Sequence, residues 1–404
     1  MTPTTIAAAA ARPTDARVIG LVGAAHFVSH IYIMVLPPLF PFVRADFGVT
    51  YTELGVAIAL FNILTGFLQT PAGFLVDRLS ARAVLIGGLL LGAASVAGAA
   101  LVSSFYLFAV MFAICGIANA TYHPADYALL SGRVSPPRMS QAYSIHIFAG
   151  FAGTAAAPAT LLLLAESLGW RGAFFAAAAL GVVVAAAVLA FGGIMAGRDP
   201  ARVKEKESGE KGIDSRILLT APILLSLCFY MLLAMIGGLQ IYGIVALEAL
   251  RGISLTLATT AMTSYLATSA FAVLVGGFIS SRTDRHDLVA MTGLALTALT
   301  LVPVAFFDLG AAALIALMGL SGFFNGVLQP SRDMIVRAVT PPGAFGRVFG
   351  FVTTGFNIGG VIAPPVFGYL MDNGEPRLVI LGVALCALIS IPTVMITVAQ
   401  RKGV

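Results

Sequence analysis

Titratable side chains occur in the middle of long apolar stretches of this chain. His26 and His30 are four residues apart and His123 and Asp126 are three apart, so each pair shares one face of a helix. Histidine titrates at about pH 6.5 and aspartate at about pH 4 in water, and a His–Asp pair in a partly dry cavity can exchange a proton near neutral pH. We predict that these four residues couple the protein to protons. The alternative for each histidine is a buried imidazole bonded to a nearby backbone or hydroxyl group.

A second polar set lies in apolar stretches of the C-terminal half. Its amides offer both donors and acceptors, which suits a neutral or zwitterionic substrate. Arg332 could pair with an anion, although the adjacent Asp333 would partly neutralise it; the alternative is that Arg332 extends to the inner membrane surface. Together with one histidine of the N-terminal half, this set gives the predicted substrate-binding residues, which are His146, Gln240, Tyr242, Asn325, Gln329, Arg332 and Asn357.

The composition indicates an integral membrane protein. Of 404 residues, 59% are hydrophobic and 10% are charged, whereas soluble domains carry about 25% charge. The N-terminus lacks the basic start and apolar core of a signal peptide, so we expect the first apolar stretch to be retained. A spanning helix needs ~20 apolar residues, and the stretches are too long and unbroken for a membrane β-barrel. The twelve predicted spans are 18–38, 52–73, 83–102, 105–130, 141–164, 172–196, 217–247, 257–280, 287–307, 311–338, 345–371 and 376–400.

Lysine and arginine are distributed unequally between the two sides of these spans. With the N-terminus in the cytoplasm, 18 of the 23 fall in or beside cytoplasmic pieces and four in outer pieces. By the positive-inside rule both termini are then cytoplasmic. The same excess accounts for the net charge of +5 without a nucleic-acid partner. We expect a multi-pass protein of a bacterial-type cytoplasmic (inner) membrane.

The chain consists of two related halves. A shift of 206 positions superposes seven residues of 116–158 on identical residues of 322–364, including Pro124 on Pro330 and Pro158 on Pro364. A proline frees a backbone carbonyl, which lipid tolerates where protein packs it or a wet cavity adjoins it. We therefore expect proline-broken helices around a central path. The predicted divisions are a cytoplasmic tail 1–17, a six-helix bundle 18–196, a cytoplasmic linker 197–216 and a six-helix bundle 217–400.

The loop after the second span reads GFLVDRLSAR, and a weaker copy, GFISSRTDRH, follows the eighth. A Gly-x-x-x-Asp-Arg-x-x-x-Arg loop at this place in a 6+6 chain resembles the major facilitator superfamily, over nearly the whole chain. The resemblance implies an all-α fold of twelve transmembrane helices in two pseudo-symmetric bundles. It also implies that Gly73, Asp77, Arg78 and Arg82 are gating residues, with Asp77 meeting a helix end or an arginine of the other half. Ser281 replaces the aspartate in the second copy, so we expect a one-sided lock; the alternative is that these charges mark the cytoplasmic boundary.

Two further signatures bear on the branch of this family. The stretch FAICGIAN in the fourth span lacks the arginine of many drug exporters, and IFAGFAGTAAAP in the fifth only partly matches the glycine-rich span of many antiporters. The His-Pro pair of the fourth span, with AHFVSH in the first, is similar to the fosmidomycin-resistance branch.

Motifs of enzymes are missing from the sequence. There is no HExxH, no GxSxG between a strand and a helix and no ATPase phosphate loop. The three cysteines lie in apolar stretches and form neither a disulfide framework nor a metal-binding spacing. We therefore expect no cofactor and no metal, and transport that runs on an ion or substrate gradient.

Together these observations predict a secondary transporter, not an enzyme, that works by alternating access as a monomer. Its predicted task is proton-coupled export of a small drug-like or phosphonate-like compound. One alternative is proton-coupled uptake of a small organic anion, and another is a receptor or scaffold that moves nothing. A third, an intramembrane hydrolase, would need a nucleophile within hydrogen-bond distance of His123 or His30.

Overall fold

The computed structural model describes residues 13–195, 215–341 and 345–401. Within these ranges the regular structure is helical throughout, with no strand. Most of the predicted tail 1–17 and of the predicted linker 197–216 lies outside the described residues.

Thirteen α-helices follow one another along the described chain. Those of the N-terminal half are α1 (Pro13–Ile33), α2 (Phe40–Phe47), α3 (Tyr51–Arg78), α4 (Ala81–Leu101), α5 (Phe105–Arg133) and α6 (Met139–Phe191). Those of the C-terminal half are α7 (Ala221–Ile236), α8 (Gly238–Arg251), α9 (Leu255–Ser280), α10 (His286–Phe306), α11 (Ala311–Val339), α12 (Phe345–Asp372) and α13 (Pro376–Arg401). Short 3-10 helices lie at Pro37–Leu39, Pro136–Arg138, Gly192–Met195 and Ser215–Leu219.

Eleven helical segments of the described chain are long and apolar enough to cross a membrane. One of them, Gln141–Met195, has 55 residues, and at ~1.5 Å per residue it far exceeds the ~30 Å hydrocarbon core. Gly169 interrupts it with φ 72° and ψ 167°, a conformation that glycine adopts readily. This segment therefore supplies two crossings, and the twelve predicted crossings are present. The seventh crossing, predicted as one stretch, is the pair α7 and α8, which meet at Gly237.

The same helix pairings recur in both halves. Helix α3 packs on α5 as α9 packs on α11, α1 on α6 as α7 on α12, and α4 on α5 as α10 on α11. The repeated glycine has the same role in each half, because a Cβ on Gly116 would collide with the carbonyl oxygen of Phe61 and one on Gly322 with that of Tyr265. The prediction of an all-α membrane fold with two pseudo-symmetric six-helix bundles is confirmed.

The repeated prolines do not break their helices. Pro124 and Pro330 lie inside α5 and α11, and Pro158 and Pro364 lie inside α6 and α12. The expectation of helices that stop at these positions was wrong. A proline removes one N–H from the ladder, but packed neighbours in a long membrane helix hold the remaining turns together.

Candidate functional site

Helices α1, α5 and α6 bring four histidines together inside the N-terminal bundle. The rings of His26 and His146 stack with centroids 3.8 Å apart. The ring of His30 lies 4.8 Å from that of His26, and the ring of His123 lies 5.1 Å from it. We call these four residues the histidine cluster. The structure thus places His146 beside the predicted proton-coupling residues, away from the C-terminal polar set.

Asp126 is the acidic member of this site and is fully buried at 0% exposure. One of its carboxylate oxygens lies 3.4 Å from Nδ1 of His26 and 3.8 Å from Nδ1 of His146. Neither oxygen accepts a hydrogen bond from any residue in the described ranges. A carboxylate in such surroundings needs either a proton of its own or a cationic partner. Asp126 and the two imidazoles are therefore neighbours, and sharing a proton would require a closer approach than 3.4 Å.

His30 is held by a hydroxyl group, which is the arrangement described by the alternative interpretation of the histidines. Its Nδ1 is hydrogen-bonded to Oγ1 of Thr154 at 2.7 Å, one turn along α6 from Gly150. The same hydroxyl lies 3.2 Å from the carbonyl oxygen of Gly150. Gly150 is required for this approach, because a Cβ there would lie 2.7 Å from Nε2 of both His26 and His30.

Three members of the histidine cluster are the described residues that could hold a metal ion. One donor atom each from His26, His123 and His146 lie within 4.8 Å of one another. A tetrahedral Zn²⁺ site holds imidazole nitrogens at about 2.0–2.1 Å, which places them about 3.4 Å apart. The rings would have to move inward to bind such an ion.

A chain of hydrogen bonds runs along α11 in the C-terminal half. Asn325 donates to the hydroxyl of Tyr265 at 2.6 Å, and its own oxygen accepts from Gln329 at 3.0 Å. Gln329 in turn accepts from Arg332 at 2.6 Å. Three of the predicted substrate-binding residues therefore form one connected set with Tyr265 of α9.

Arg332 ends this chain in an aromatic setting. Its Nε donates to Asp333 at 2.7 Å, and the hydroxyl of Tyr230 donates to the same carboxylate oxygen at 2.6 Å. The guanidinium carbon lies 5.0 Å from the ring centroids of both Tyr230 and Phe356, within the range of a cation–π contact. The Arg332 side chain is 18% exposed, and these contacts hold its guanidinium against neighbouring side chains.

Tyr127 of α5 links the two sites. Its ring stacks on that of His123 with centroids 5.8 Å apart and lies 5.4 Å from that of His146. It also interacts electrostatically with Asp333 and Arg332 of the other half. Tyr127 is 39% exposed, whereas His26, His146 and Asp126 are buried, so Tyr127 is the more accessible neighbour of the histidine cluster.

The remaining residues of the predicted substrate set lie apart from this centre. The hydroxyl of Tyr242 donates to the carbonyl oxygen of Tyr51 at 2.9 Å, which joins α8 to the first turn of α3. Asn357 packs against Gly66 of α3, where a Cβ would lie 2.9 Å from its side-chain carbon. Gln240 is half-buried on α8. The structure therefore assembles the predicted set in part.

The predicted gating residues occupy the end of α3 and the start of α4. Asp77 and Arg78 are in the last turn of α3. Arg82 donates to the carbonyl oxygen of Leu189 at 2.6 Å, a contact within its own half. A Cβ on Gly73 would meet nothing within 4 Å. Their gating role stays a prediction.

Two six-helix bundles around polar residues at membrane depth define a membrane transporter fold. The family model described as Major Facilitator Superfamily matches residues 22–247 and 240–403. The chain belongs to this superfamily, and it is not an enzyme.

Relatives agree with this assignment. The fosmidomycin resistance protein of Escherichia coli (strain K12) is 23% identical over 99% of this chain and 98% of its own length, which confirms the resemblance predicted from the histidine motifs. The probable sulfoacetate transporter SauU of Cupriavidus necator is 23% identical over 88% of this chain and 87% of its own length.

Solved structures share the fold. A bacterial homologue of the human lysosomal transporter Spinster, in an inward-facing and occupied conformation, superposes with a TM-score of 0.73, 14% identity and 97% coverage of both chains. A variant of the nucleoside transporter NupG superposes with a TM-score of 0.74, 16% identity, and coverage of 94% of this chain and 99% of its own.

Proposed function

We propose that this protein is a secondary transporter that exports a small drug-like or phosphonate-like compound in exchange for protons. The observation that carries the proposal is Asp126, a fully buried carboxylate with one oxygen 3.4 Å from Nδ1 of His26 in the histidine cluster. A charged group at membrane depth is costly, by at least ~2.5 kcal/mol, and its retention indicates a role in an ion pathway. The similarity to a fosmidomycin resistance protein supports an exported drug-like cargo.

The geometry suggests how proton and cargo compete. Tyr127 touches the histidine cluster on one side and faces Arg332 and Asp333 on the other. A cargo molecule bound between the bundles would meet both sites at once. Protonation of the cluster would change its net charge and thereby the affinity for the cargo, which is the linkage that coupled transport requires.

Direct flux measurements test this proposal. Purified protein in vesicles with a pH-sensitive dye should move protons when cargo is added, and Asp126→Asn should abolish that signal. Asp308→Asn is the matched control, because Asp308 is an exposed carboxylate in the loop between α10 and α11. If wild-type protein carries cargo and no protons move, the coupling is refuted. A dependence of flux on added Zn²⁺, removed by a chelator, would replace it with a metal role for the cluster.

Uptake of a small organic anion with protons is the second candidate. Arg332 favours it, because its side chain is only 18% exposed and its guanidinium carbon lies 5.0 Å from the ring centroids of both Tyr230 and Phe356. Two relatives are a probable sulfoacetate transporter, which matches 88% of this chain, and a probable L-galactonate transporter, which matches 35% of it. Arg332→Gln separates the candidates: anion uptake would be lost, and export of an uncharged compound would be retained. A thermal-shift screen against phosphonates, organic acids and cationic dyes identifies the class of cargo.

A receptor or scaffold that moves nothing is the candidate from another class. It predicts no cargo-dependent flux in vesicles from protein that still shows a thermal shift with the same compound. Flux above the level of Asp126→Asn vesicles excludes it.

We also propose the arrangement in the cell. The protein is a monomer in a bacterial inner membrane with both termini cytoplasmic, and its bundles are 18–196 and 217–400, joined by a cytoplasmic segment 197–216. The excess of lysine and arginine on one side supports this orientation. Reporter fusions at each terminus test it, since a periplasmic reporter that is active at either end would reverse the topology.

A further inference from the structure

The seam between α3 and α12 is closed at one end. A Cβ on Gly368 of α12 would lie 2.5 Å from the carbonyl oxygen of Tyr51, and one on Gly55 of α3 would collide with the carbonyl oxygen of Pro364. Further along the seam, the amide of Asn62 donates to the carbonyl oxygen of Gly360 at 2.9 Å. We call the end of the seam where α3 begins and α12 ends the outer end, in keeping with the proposed orientation.

The described glycine contacts are looser toward the other end of the same seam. The antiparallel register that brings Gly66 against Asn357 places Gly73 opposite Gly350 two turns further on. A Cβ on either of these two glycines would meet nothing within 4 Å. The glycine contacts of the seam are therefore tightest at its outer end.

Asp372, the last residue of α12, binds the first turn of α3 at the outer end. Its Oδ1 accepts from the backbone N–H of Tyr51 at 2.8 Å. Its Oδ2 accepts from the backbone N–H of Thr52 at 2.8 Å and from the Thr52 hydroxyl at 2.5 Å. The first N–H groups of a helix have no partner inside the helix and carry its positive dipole end, so a carboxylate is the ligand that they favour.

The symmetry-related position does not repeat this contact. The shift of 206 that relates the halves places Asp372 on Glu166, also a carboxylate at the outer end of its crossing. In the described part of the chain, Glu166 has no hydrogen bond to the first turn of α9, whose cap is Ser254 of the same half. The outer end is therefore bonded across the halves on one of its two pseudo-symmetric sides.

We infer that Asp372 is an outer gating residue, which holds the transporter closed on the outer side through the first turn of α3 and releases it when the outer side opens. This inference rests on the proposed alternating access. Opening on the outer side must separate α3 from α12 at the outer end, so all three hydrogen bonds break together. Nothing in the sequence marks Asp372, because its partners lie about 320 residues away in the chain.

The test measures the distance between the halves at the outer end. Spin labels at Ser103→Cys and Asp308→Cys report it by double electron–electron resonance in a background that lacks the native cysteines; both positions are exposed outer-loop residues. Asp372→Ala should raise the ratio of outer-open to outer-closed protein about tenfold, since hydrogen bonds to an exposed carboxylate are lost. Thr52→Val, which removes one of the three bonds, should give a smaller rise. Glu166→Gln is the matched control and should leave the ratio unchanged.

The outcomes separate this inference from the proposed function. If Asp372→Ala stays within twofold of wild type while cargo or pH still shifts the distances, the gating role is overturned and alternating access stands. If no variant and no condition produces a second distance, both are overturned. An equal rise with Glu166→Gln would assign the effect to general charge and also overturn the specific role of Asp372.

Discussion

Adding one methyl group at the outer end of the seam should push the transporter open on its outer side. Gly368→Ala places a Cβ 2.5 Å from the Tyr51 carbonyl oxygen and 2.8 Å from the Thr52 backbone nitrogen, whereas ordinary contacts begin at 3.4 Å. Because both neighbours are backbone atoms, they cannot rotate away, and α3 must retreat by roughly the difference of 0.9 Å. The substitution thus strains the closed seam and leaves the open one unaffected.

The magnitude follows from what overpacking costs. Inserting a methylene into a well-packed interface costs about 1–3 kcal/mol, and about 1.4 kcal/mol changes an equilibrium tenfold. The outer-closed population should therefore fall relative to the outer-open one by roughly 5-fold to 150-fold. Alanine also favours the helix by up to about 1 kcal/mol over glycine. That gain is the same in both states and does not affect their ratio.

Gly350→Ala is the matched control, because Gly350 lies on the same helix far from the outer end of the seam and its Cβ would meet nothing within 4 Å. The spin-label pair at Ser103 and Asp308 reports the ratio for both variants, and cargo flux reports whether the cycle still turns. We expect Gly368→Ala to populate the longer distance and to slow turnover, and Gly350→Ala to match wild type. Identical distance distributions for the two alanine variants would refute the steric reasoning.

Three further outcomes are expected. Gly150→Ala should disturb the histidine cluster and reduce proton-coupled flux by at least tenfold, because its Cβ would lie 2.7 Å from two imidazole nitrogens. Gly20→Ala is the control and should not reduce the flux, because its Cβ would meet no neighbour. Equal fluxes in the two variants would contradict this prediction. Tyr242→Phe should lower thermal stability modestly, by about 0.5–1.5 kcal/mol, through loss of its one inter-half hydrogen bond; unchanged melting would mean the bond contributes nothing. Asp333→Asn should raise the affinity for small anions by releasing Arg332 from its neutralising partner, and binding titrations that show no gain would argue against an anion site there.

Much of the fold could be predicted from the sequence, because its signals can be recognised without knowing how the helices pack. Apolar length sets the crossings, the lysine and arginine bias sets an orientation, and the 206-residue repeat sets two bundles. The boundary between the fifth and sixth crossings was predicted as a loop at 165–171, whereas the structure joins the two crossings at Gly169 without a loop. The prolines also led to a wrong expectation of broken helices, because tertiary packing holds α5 and α11 continuous through Pro124 and Pro330.

The candidate site could be predicted only in part, because helical spacing relates residues within one helix and not between helices. Helical spacing correctly places the ring of His26 beside that of His30, since residues four apart share a face. The predicted His123–Asp126 pair is not formed among the described residues, because the carboxylate of Asp126 lies near His26 and His146 instead. Spacing contains no information on which faces of distant helices meet. The partners Thr154 and Tyr127, and the stacking of His146 on His26, depend on how α1, α5 and α6 pack, so they emerge from the structure.

The glycine turn at residue 169 has a mechanical consequence. Because no loop separates the two parts of α6, the fifth and sixth crossings are joined directly at Gly169. Helix α6 contacts α9 of the opposite bundle and α4 of its own bundle, and Arg82 of α4 donates to the carbonyl oxygen of Leu189 in the part of α6 that follows Gly169. A tilt of the fifth crossing is therefore transmitted directly to the sixth crossing, so the two crossings move together.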